Sequence, residues 1–145
     1  MPTLYTIGFT KKSLEKFVTL LQEAGVDAVI DIRLRPNSQL SAFAKQRDLP
    51  FILKTFGIGY EHRLELAPTA EILNSYRQDK AWAAYERHFL PLIQERQVEQ
   101  TAEEIFARYE APCLLCSEHT AAHCHRRLVA EYWAEFVRDL EIVHL

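Results

Sequence analysis

The densest concentration of reactive side chains lies in residues 112–129, which read P-C-L-L-C-S-E-H-T-A-A-H-C-H-R-R-L-V. This segment holds all three cysteines of the 145-residue chain, three of its six histidines and two adjacent arginines. Thiols and imidazoles are ligands of soft metal ions, paired thiols carry redox chemistry, and arginines bind anions. The segment therefore indicates a thiol, metal or anion site.

The spacing of the cysteines separates one of them from the other two. Cys113 and Cys116 flank two leucines on a predicted strand, where an odd separation sends side chains to opposite faces of a sheet. We therefore expect Cys113 to be a small buried apolar residue and Cys116 to lie at the end of the strand. A zinc or iron site is the alternative, built from Cys116, Cys124 and one or two nearby histidines. The histidines within reach are His119, His123 and His125.

Cations occupy the predicted start of the helix that follows. Cys124, His125, Arg126 and Arg127 stand in sequence there, and positive charges at a helix N-terminus oppose its dipole at a cost of a few tenths to about 1 kcal/mol. An anion bound by free backbone N–H groups and an arginine would offset that cost, and the same field favours the thiolate form of Cys124. The competing interpretation is that the arginines are solvated or pair with nearby glutamates.

A third feature follows the second predicted strand. If the strand continues, Asp31, Arg33 and Arg35 lie on one face. A carboxylate between two arginines can orient a substrate or accept a proton, although pairing with arginine makes it a poor base at neutral pH. A purely structural ion pair is the alternative.

The elements that must position these residues alternate between strands and helices. Strands are predicted at residues 3–9, 26–32, 58–64, 113–117 and 141–145, and helices at 13–25, 48–56, 69–76, 81–89, 101–111 and 124–137. Asp48 and the pair Thr101 and Glu104 are expected to cap two of these helices, and Pro91 to disturb another. The pattern predicts one α/β domain over residues 1–145, with a mostly parallel, Rossmann-like sheet flanked by helices and a helical middle third. Ligands of such sheets bind at the carboxyl ends of the strands.

Composition excludes several classes of protein. Hydrophobic residues make up 48% and charged residues 26% of the chain, and no apolar run approaches the roughly 18 residues of a membrane span. The N-terminal residues do not resemble a signal peptide, so we expect a cytoplasmic protein without a membrane partner. Three clustered cysteines are not a disulfide framework. A net charge of −3 counts against whole-molecule attraction to nucleic acid, although a local basic patch is compatible with it.

Four segments together resemble one known family, the domain of unknown function 488. They read T-I-G-F-T, D-I-R-L-R-P-N-S-Q-L-S-A-F, G-I-G-Y-E-H-R-L-E-L-A-P-T and L-L-C-S-E-H-T-A-A-H-C-H-R-R-L-V-A-E. Members of the family usually have T-I-G-H-S in the first segment, where this chain has Phe9 and Thr10. The resemblance implies one shared site formed by Asp31, Arg33, Pro36, Ser38, Cys116, Glu118, Cys124, His125 and Arg126. It implies no reaction.

Three functions compete at this point. The first is a small enzyme for an anionic substrate, either phosphate-bearing or related to nucleic acid. Its catalytic candidates are Asp31, Glu118, Cys124 and His125, and its substrate-binding candidates are Arg33, Ser38, Cys116 and Arg126. The second is a thiol, redox or metal-binding module that uses Cys116 and Cys124, with His125 as a further metal ligand. The third is a nucleic-acid interaction module without chemistry.

Overall fold

The computed structural model describes residues 1–145 and contains one sheet of five parallel strands. The strands are β1 (Thr3–Gly8), β2 (Ala28–Asp31), β3 (Gly59–His62), β4 (Pro112–Cys116) and β5 (Glu141–His144). Their order across the sheet is β3-β2-β4-β1-β5, with β4 at the centre. The predicted α/β fold with a parallel sheet is confirmed.

Six helices flank the sheet. They are α1 (Leu14–Ala24), α2 (Leu49–Thr55), α3 (Ala70–Asp79), α4 (Trp82–Glu95), α5 (Glu99–Arg108) and α6 (His125–Ala134). Two short 3-10 helices lie at Gln39–Ala44 and Leu64–Leu66. The three helices α3 to α5 form the connection from β3 to β4, as the predicted helical middle third requires.

The first βαβ unit shows how local sequence positions these elements. Ser13 caps α1, because its hydroxyl accepts the backbone N–H of Lys16 at 3.0 Å. Gly25 ends the helix in a left-handed conformation with φ of 75°. Between these ends Phe17 and Leu21 fall one turn apart and are fully buried.

Strand alternation divides the core into two layers, one on each face of the sheet. Leu114 packs on the face covered by α4, α5 and α6, here called the α6 face. Leu115 packs on the face covered by α1 and α2, here called the α1 face. Cys113 is buried on the α1 face and Cys116 on the α6 face, which confirms that the two thiols point in opposite directions.

At the centre of the sheet, the segments that follow two neighbouring strands leave toward opposite faces. Strand β1 continues into α1 on the α1 face, whereas its neighbour β4 continues into α6 on the α6 face. Adjacent parallel strands whose connections leave in opposite directions open a crevice at their carboxyl ends, and ligands of α/β proteins bind there. In this fold the crevice lies between Gly8 and Cys116, which pair in register.

Asp48 precedes α2 as predicted, but its carboxylate makes no capping hydrogen bond and instead binds Arg47 at 3.1 Å. Two further local predictions are wrong. Helix α5 begins at Glu99, so Thr101 lies inside it and donates its hydroxyl to Glu65 Oε2 at 3.0 Å. Pro91 lies on the exposed side of α4, which continues to Glu95 because its opposite side is anchored in the core.

None of the helices combines the length and apolar character that crossing a membrane requires.

Candidate functional site

The loop between β4 and α6, residues 117–124, closes over the carboxyl end of β1. A Cβ atom added to Gly8 would lie 1.5 Å from the carbonyl oxygen of Glu118 and 2.8 Å from Arg126 Nη1. The loop can therefore approach only because residue 8 has no side chain. Thr10 holds the other side of the loop, since its hydroxyl donates to the carbonyl of Ser117 at 2.7 Å.

The buried side chain of Arg126 holds the same loop in place. Its guanidinium is fully buried and donates to Thr6 Oγ1 at 3.1 Å and to the loop carbonyls of Glu118 and His119. No carboxylate pairs with it, and burial lowers the pKa of Arg126 to about 10. Arg126 lines neither of the clefts described below. It is a buried support for the loop.

Asp31 and Arg33 form a buried ion pair on the α1 face. Arg33 donates from Nε to Asp31 Oδ1 at 2.8 Å and from Nη2 to Oδ2 at 2.7 Å, and Tyr60 donates its hydroxyl to the same Oδ2. Burial and the adjacent carboxylate raise the pKa of Tyr60. Arg33 Nη2 also donates to the carbonyl of Ala44 at 2.6 Å, while Nη1 is buried without a partner. The carboxylate is fully buried and its oxygens already accept several hydrogen bonds.

On the α6 face, Cys116 and Cys124 are joined as a disulfide across the mouth of the loop. Both are buried, Cys116 as the last residue of β4 and Cys124 as the residue that precedes α6. Arg126 Nη1 lies 3.5 Å from Cys116 Sγ. A cation and a helix N-terminus both favour the thiolate form of a reduced cysteine, so both sulfurs have an electropositive environment.

His125 connects the disulfide on the α6 face with the end of β2. Its Nε2 lies 2.7 Å from the carbonyl oxygen of Ile32, which follows β2. A carbonyl only accepts, so Nε2 carries the proton and Nδ1 of the neutral ring has a free lone pair. Burial lowers the pKa of His125 to about 4, which keeps the ring neutral at physiological pH. The ligand atoms of Cys116, Cys124 and His125 lie within 4.8 Å of one another.

Two small clefts meet at His125. The first, the aromatic cleft, has a volume of about 70 Å³. Its lining is Leu73, Tyr76, Trp82, Tyr85, Cys116, Ser117, Glu118, His123, Cys124 and His125. The rings of Trp82 and His123 stack with centroids 5.2 Å apart, and Trp82 also stacks on Tyr85 at 5.0 Å. The disulfide therefore faces a wall of aromatic rings.

The second, the basic cleft, also measures about 70 Å³. Its lining is Arg33, Leu34, Arg35, Pro68, Leu73, Arg77, Ser117 and His125. Arg35 and Arg77 are exposed and take part in no ion pair. Three guanidinium groups thus border a depression that shares Leu73, Ser117 and His125 with the aromatic cleft.

The remaining predicted residues lie outside the clefts or at their edge. Ser38 accepts the N–H of Leu40 and begins a 3-10 helix, so its hydroxyl is used locally. Glu118 is exposed and lines the aromatic cleft. Phe9, one of the two residues that depart from the T-I-G-H-S pattern, is buried under the Arg33 guanidinium, with its ring centroid 5.3 Å from Arg33 Cζ.

Sequence reasoning missed the residues that α3 and α4 contribute. The sequence does not mark Arg77 as a site residue, because exposed arginines are common on the polar face of an amphipathic helix. The periodic segments that hold Trp82 and Tyr85 indicate core or rim residues, and Tyr85 is buried in the core. Their place in the wall of the aromatic cleft was not predicted. Tyr60 likewise stands where a core or rim residue is expected, and only the pairing of β2 with β3 brings its hydroxyl to Asp31.

Gly8→Ala tests the close approach of the loop. We expect a loss of roughly 1–3 kcal/mol or more in the free energy of unfolding, because the new methyl group overlaps the Glu118 carbonyl. Urea denaturation measures this loss. Gly59→Ala is the matched control in β3, since its Cβ would have no neighbour closer than 3.6 Å. Equal losses in the two variants would contradict the packing described.

Neutral His125 makes stability depend on pH. Its folded pKa of about 4 lies below the ordinary value of 6.5, so between these values the unfolded chain binds a proton that the folded chain does not. The free energy of unfolding should therefore fall as pH decreases from about 6.5 to about 4, by up to about 1.4 kcal/mol per pH unit. Denaturation at a series of pH values measures the slope.

His125→Gln should reduce this slope by about 1.4 kcal/mol per pH unit, the contribution of one proton. Glutamine keeps a hydrogen-bond donor and does not titrate. Burial also lowers the pKa of His144, which adds a slope of the same sign. His144→Gln is thus the control that separates the two contributions. An unchanged slope in His125→Gln would show that His125 is not the histidine that folding keeps neutral.

Comparison with known proteins identifies the family. The family model for the domain of unknown function DUF488 matches residues 13–133. Neither the curated proteins nor the solved structures contain a match to this chain. The matched region covers β2 to β4, the loop at residues 117–124 and nearly all of α6, so it includes both clefts. The chain belongs to the DUF488 family.

Proposed function

We propose that this protein is a thiol–disulfide exchange enzyme whose redox pair is Cys116 and Cys124 and whose substrate carries a negative charge. One observation carries the proposal. The two sulfurs are bonded to one another and line a cleft, next to a histidine whose Nδ1 is unprotonated. Buried structural thiols such as Cys113 have no comparable surroundings.

The reaction is a two-electron exchange. In the reducing direction, the Cys116 thiolate attacks one sulfur of a substrate disulfide, forms a mixed disulfide and expels the first substrate thiolate. The Cys124 thiolate then attacks Cys116 Sγ, closes the protein disulfide and releases the second substrate thiolate. The substrate gains two electrons, the protein loses two, and the protons of the protein thiols pass to solvent or to the leaving thiolates.

The surroundings of Cys116 favour it as the attacking group. Arg126 Nη1 lies 3.5 Å from its sulfur and supplies a full positive charge that favours the thiolate. Cys124 precedes α6, where the helix dipole acts in the same direction with a smaller charge. His125 stays neutral beside the two sulfurs, so the thiol protons pass to solvent through the cleft that exposed Glu118 borders.

The basic cleft supports an anionic substrate. Arg35 and Arg77 are exposed, unpaired cations beside Ser117 and His125, and Arg33 has one buried N–H group without an acceptor. A guanidinium group that lacks an acceptor favours a carboxylate or a phosphate. The cleft, of about 70 Å³, has room for one such group. The proposal therefore takes a small anionic disulfide as substrate.

The thiol pair is tested with an anionic aromatic disulfide, dithiobis(nitrobenzoate), added to the reduced native protein. We expect wild type to release two nitrothiobenzoate ions and retain none, because Cys124 resolves the mixed disulfide on Cys116. Cys124→Ser should release one ion and keep one bound, since the resolving thiol is gone. Absorbance measures release, and the intact mass measures the adduct.

Cys113→Ser is the matched control and should behave as wild type, because Cys113 is buried on the α1 face. Retention of nitrothiobenzoate on wild type would contradict a resolving pair. An unchanged two-ion release in both Cys116→Ser and Cys124→Ser would exclude these residues as the working thiols.

The anionic preference is tested by comparing that reagent with the neutral disulfide dithiodipyridine. Arg77→Ala should slow reaction with the anionic disulfide roughly fivefold, the size expected for a partly screened charge contact of about 1 kcal/mol. Reaction with the neutral disulfide should stay unchanged. Arg87→Ala, an exposed arginine on α4 outside both clefts, is the control. An equal effect on both reagents would remove the basic cleft from the proposal.

A further inference from the structure

We propose that the reduced protein binds one Zn²⁺ ion through Cys116 Sγ, Cys124 Sγ and His125 Nδ1, with its fourth coordination position open to the aromatic cleft. The site shares two thiols with the exchange activity but does not require that activity. Metal binding and the disulfide therefore exclude one another at the same atoms.

The three donor atoms are gathered as a zinc site needs. The two sulfurs and one ring nitrogen of His125 already lie within 4.8 Å of one another. Zinc–sulfur bonds of about 2.3 Å and zinc–nitrogen bonds of about 2.0 Å place ligand atoms of a tetrahedral site roughly 3.3–3.8 Å apart. Reduction frees the two sulfurs to separate to such a distance while the backbone of β4 and of α6 stays in place.

The histidine is held in the tautomer that a metal requires. Its Nε2–H donates to the Ile32 carbonyl at 2.7 Å, which fixes the ring and leaves Nδ1 without a proton. Metal-binding histidines in proteins commonly have such a carbonyl partner on the second nitrogen, and this partner fixes both tautomer and ring orientation. The same bond ties the ligand to the end of β2, so the ring is positioned by the sheet.

Charge balance favours an ion at this point. The two thiolates would bring two negative charges into a place where both cysteines are almost fully buried, and unpaired buried charges are costly. Zn²⁺ cancels both charges, and any proton still on a thiol passes to solvent when the ion binds. Arg126 Nη1, 3.5 Å from Cys116 Sγ, then acts as a hydrogen-bond donor to a metal-bound sulfur.

Three protein ligands leave one position for water or a substrate, as in catalytic zinc sites. The ligands line the aromatic cleft together with Glu118 and His123, both of which are exposed. A thiol or another soft donor that enters this cleft would reach the open position. Oxidation of the two thiolates by a disulfide removes two electrons, forms the protein disulfide and releases the ion.

The test titrates Co²⁺ into the protein under a non-thiol phosphine reductant. We expect one equivalent to produce the visible bands of tetrahedral cobalt with sulfur-to-cobalt charge transfer, and Zn²⁺ to abolish them. The disulfide form should give no such bands. Cys116→Ser, Cys124→Ser and His125→Gln should each weaken binding on the order of a hundredfold, whereas Cys113→Ser and His123→Gln should match wild type.

X-ray absorption of the zinc-loaded wild type gives a second readout that does not depend on variants that fold. Two sulfur neighbours and at least one nitrogen neighbour are expected. The absence of a tetrahedral cobalt spectrum in reduced wild type would overturn the site, as would a spectrum that survives in both Cys116→Ser and Cys124→Ser. Thiol exchange measured in the presence of a chelator decides the proposed function separately, so either proposal can fail alone.

Discussion

The buried guanidinium of Arg126 is the interaction on which the rest of the site depends. It lies beneath the loop that follows β4, with hydrogen bonds to Thr6 in β1 and to two loop carbonyls, and it has no carboxylate partner. Burying an unpaired cation is costly unless acceptors surround it. Backbone carbonyls serve as those acceptors here, so the charge itself requires the loop to stay in one conformation. That conformation brings Cys116 and Cys124 together.

A second constraint comes from the pleat of the sheet. Asp31 and Arg33 pack on the α1 face, while Cys116, Cys124 and Arg126 pack on the α6 face. The sheet thus separates residues that the sequence predicted to form one polar cluster. They meet only at its carboxyl edge, where His125 reaches the Ile32 carbonyl and lines both clefts. His125 is thus one of the three residues, with Leu73 and Ser117, that border both clefts.

The two proposals describe two states of one pair of sulfurs. A dithiol beside a neutral histidine can hold a soft cation, and the same dithiol can close as a disulfide. The redox poise and the metal supply of the compartment determine which state prevails. The fold does not determine either of them. The rings of Trp82 and Tyr85 line the cleft that both states share.

Local sequence determined the strands, most of the helices and the opposite directions of Cys113 and Cys116, because these depend on periodicity and on caps such as Ser13 and Gly25. The sequence also predicted that a helix starts at Cys124 and that polar residues lie at the ends of β2 and β4. The start of α2 after Asp48 was predicted correctly, although its carboxylate binds the neighbouring Arg47 and caps nothing. The start of α5 was predicted wrongly at Thr101, whose hydroxyl binds the distant Glu65. Tertiary structure alone decided that Arg126 is buried against carbonyls and that Arg77 and Trp82 border the site. Those contacts join residues far apart in the chain, and no local pattern encodes which distant side chain will fill a given space.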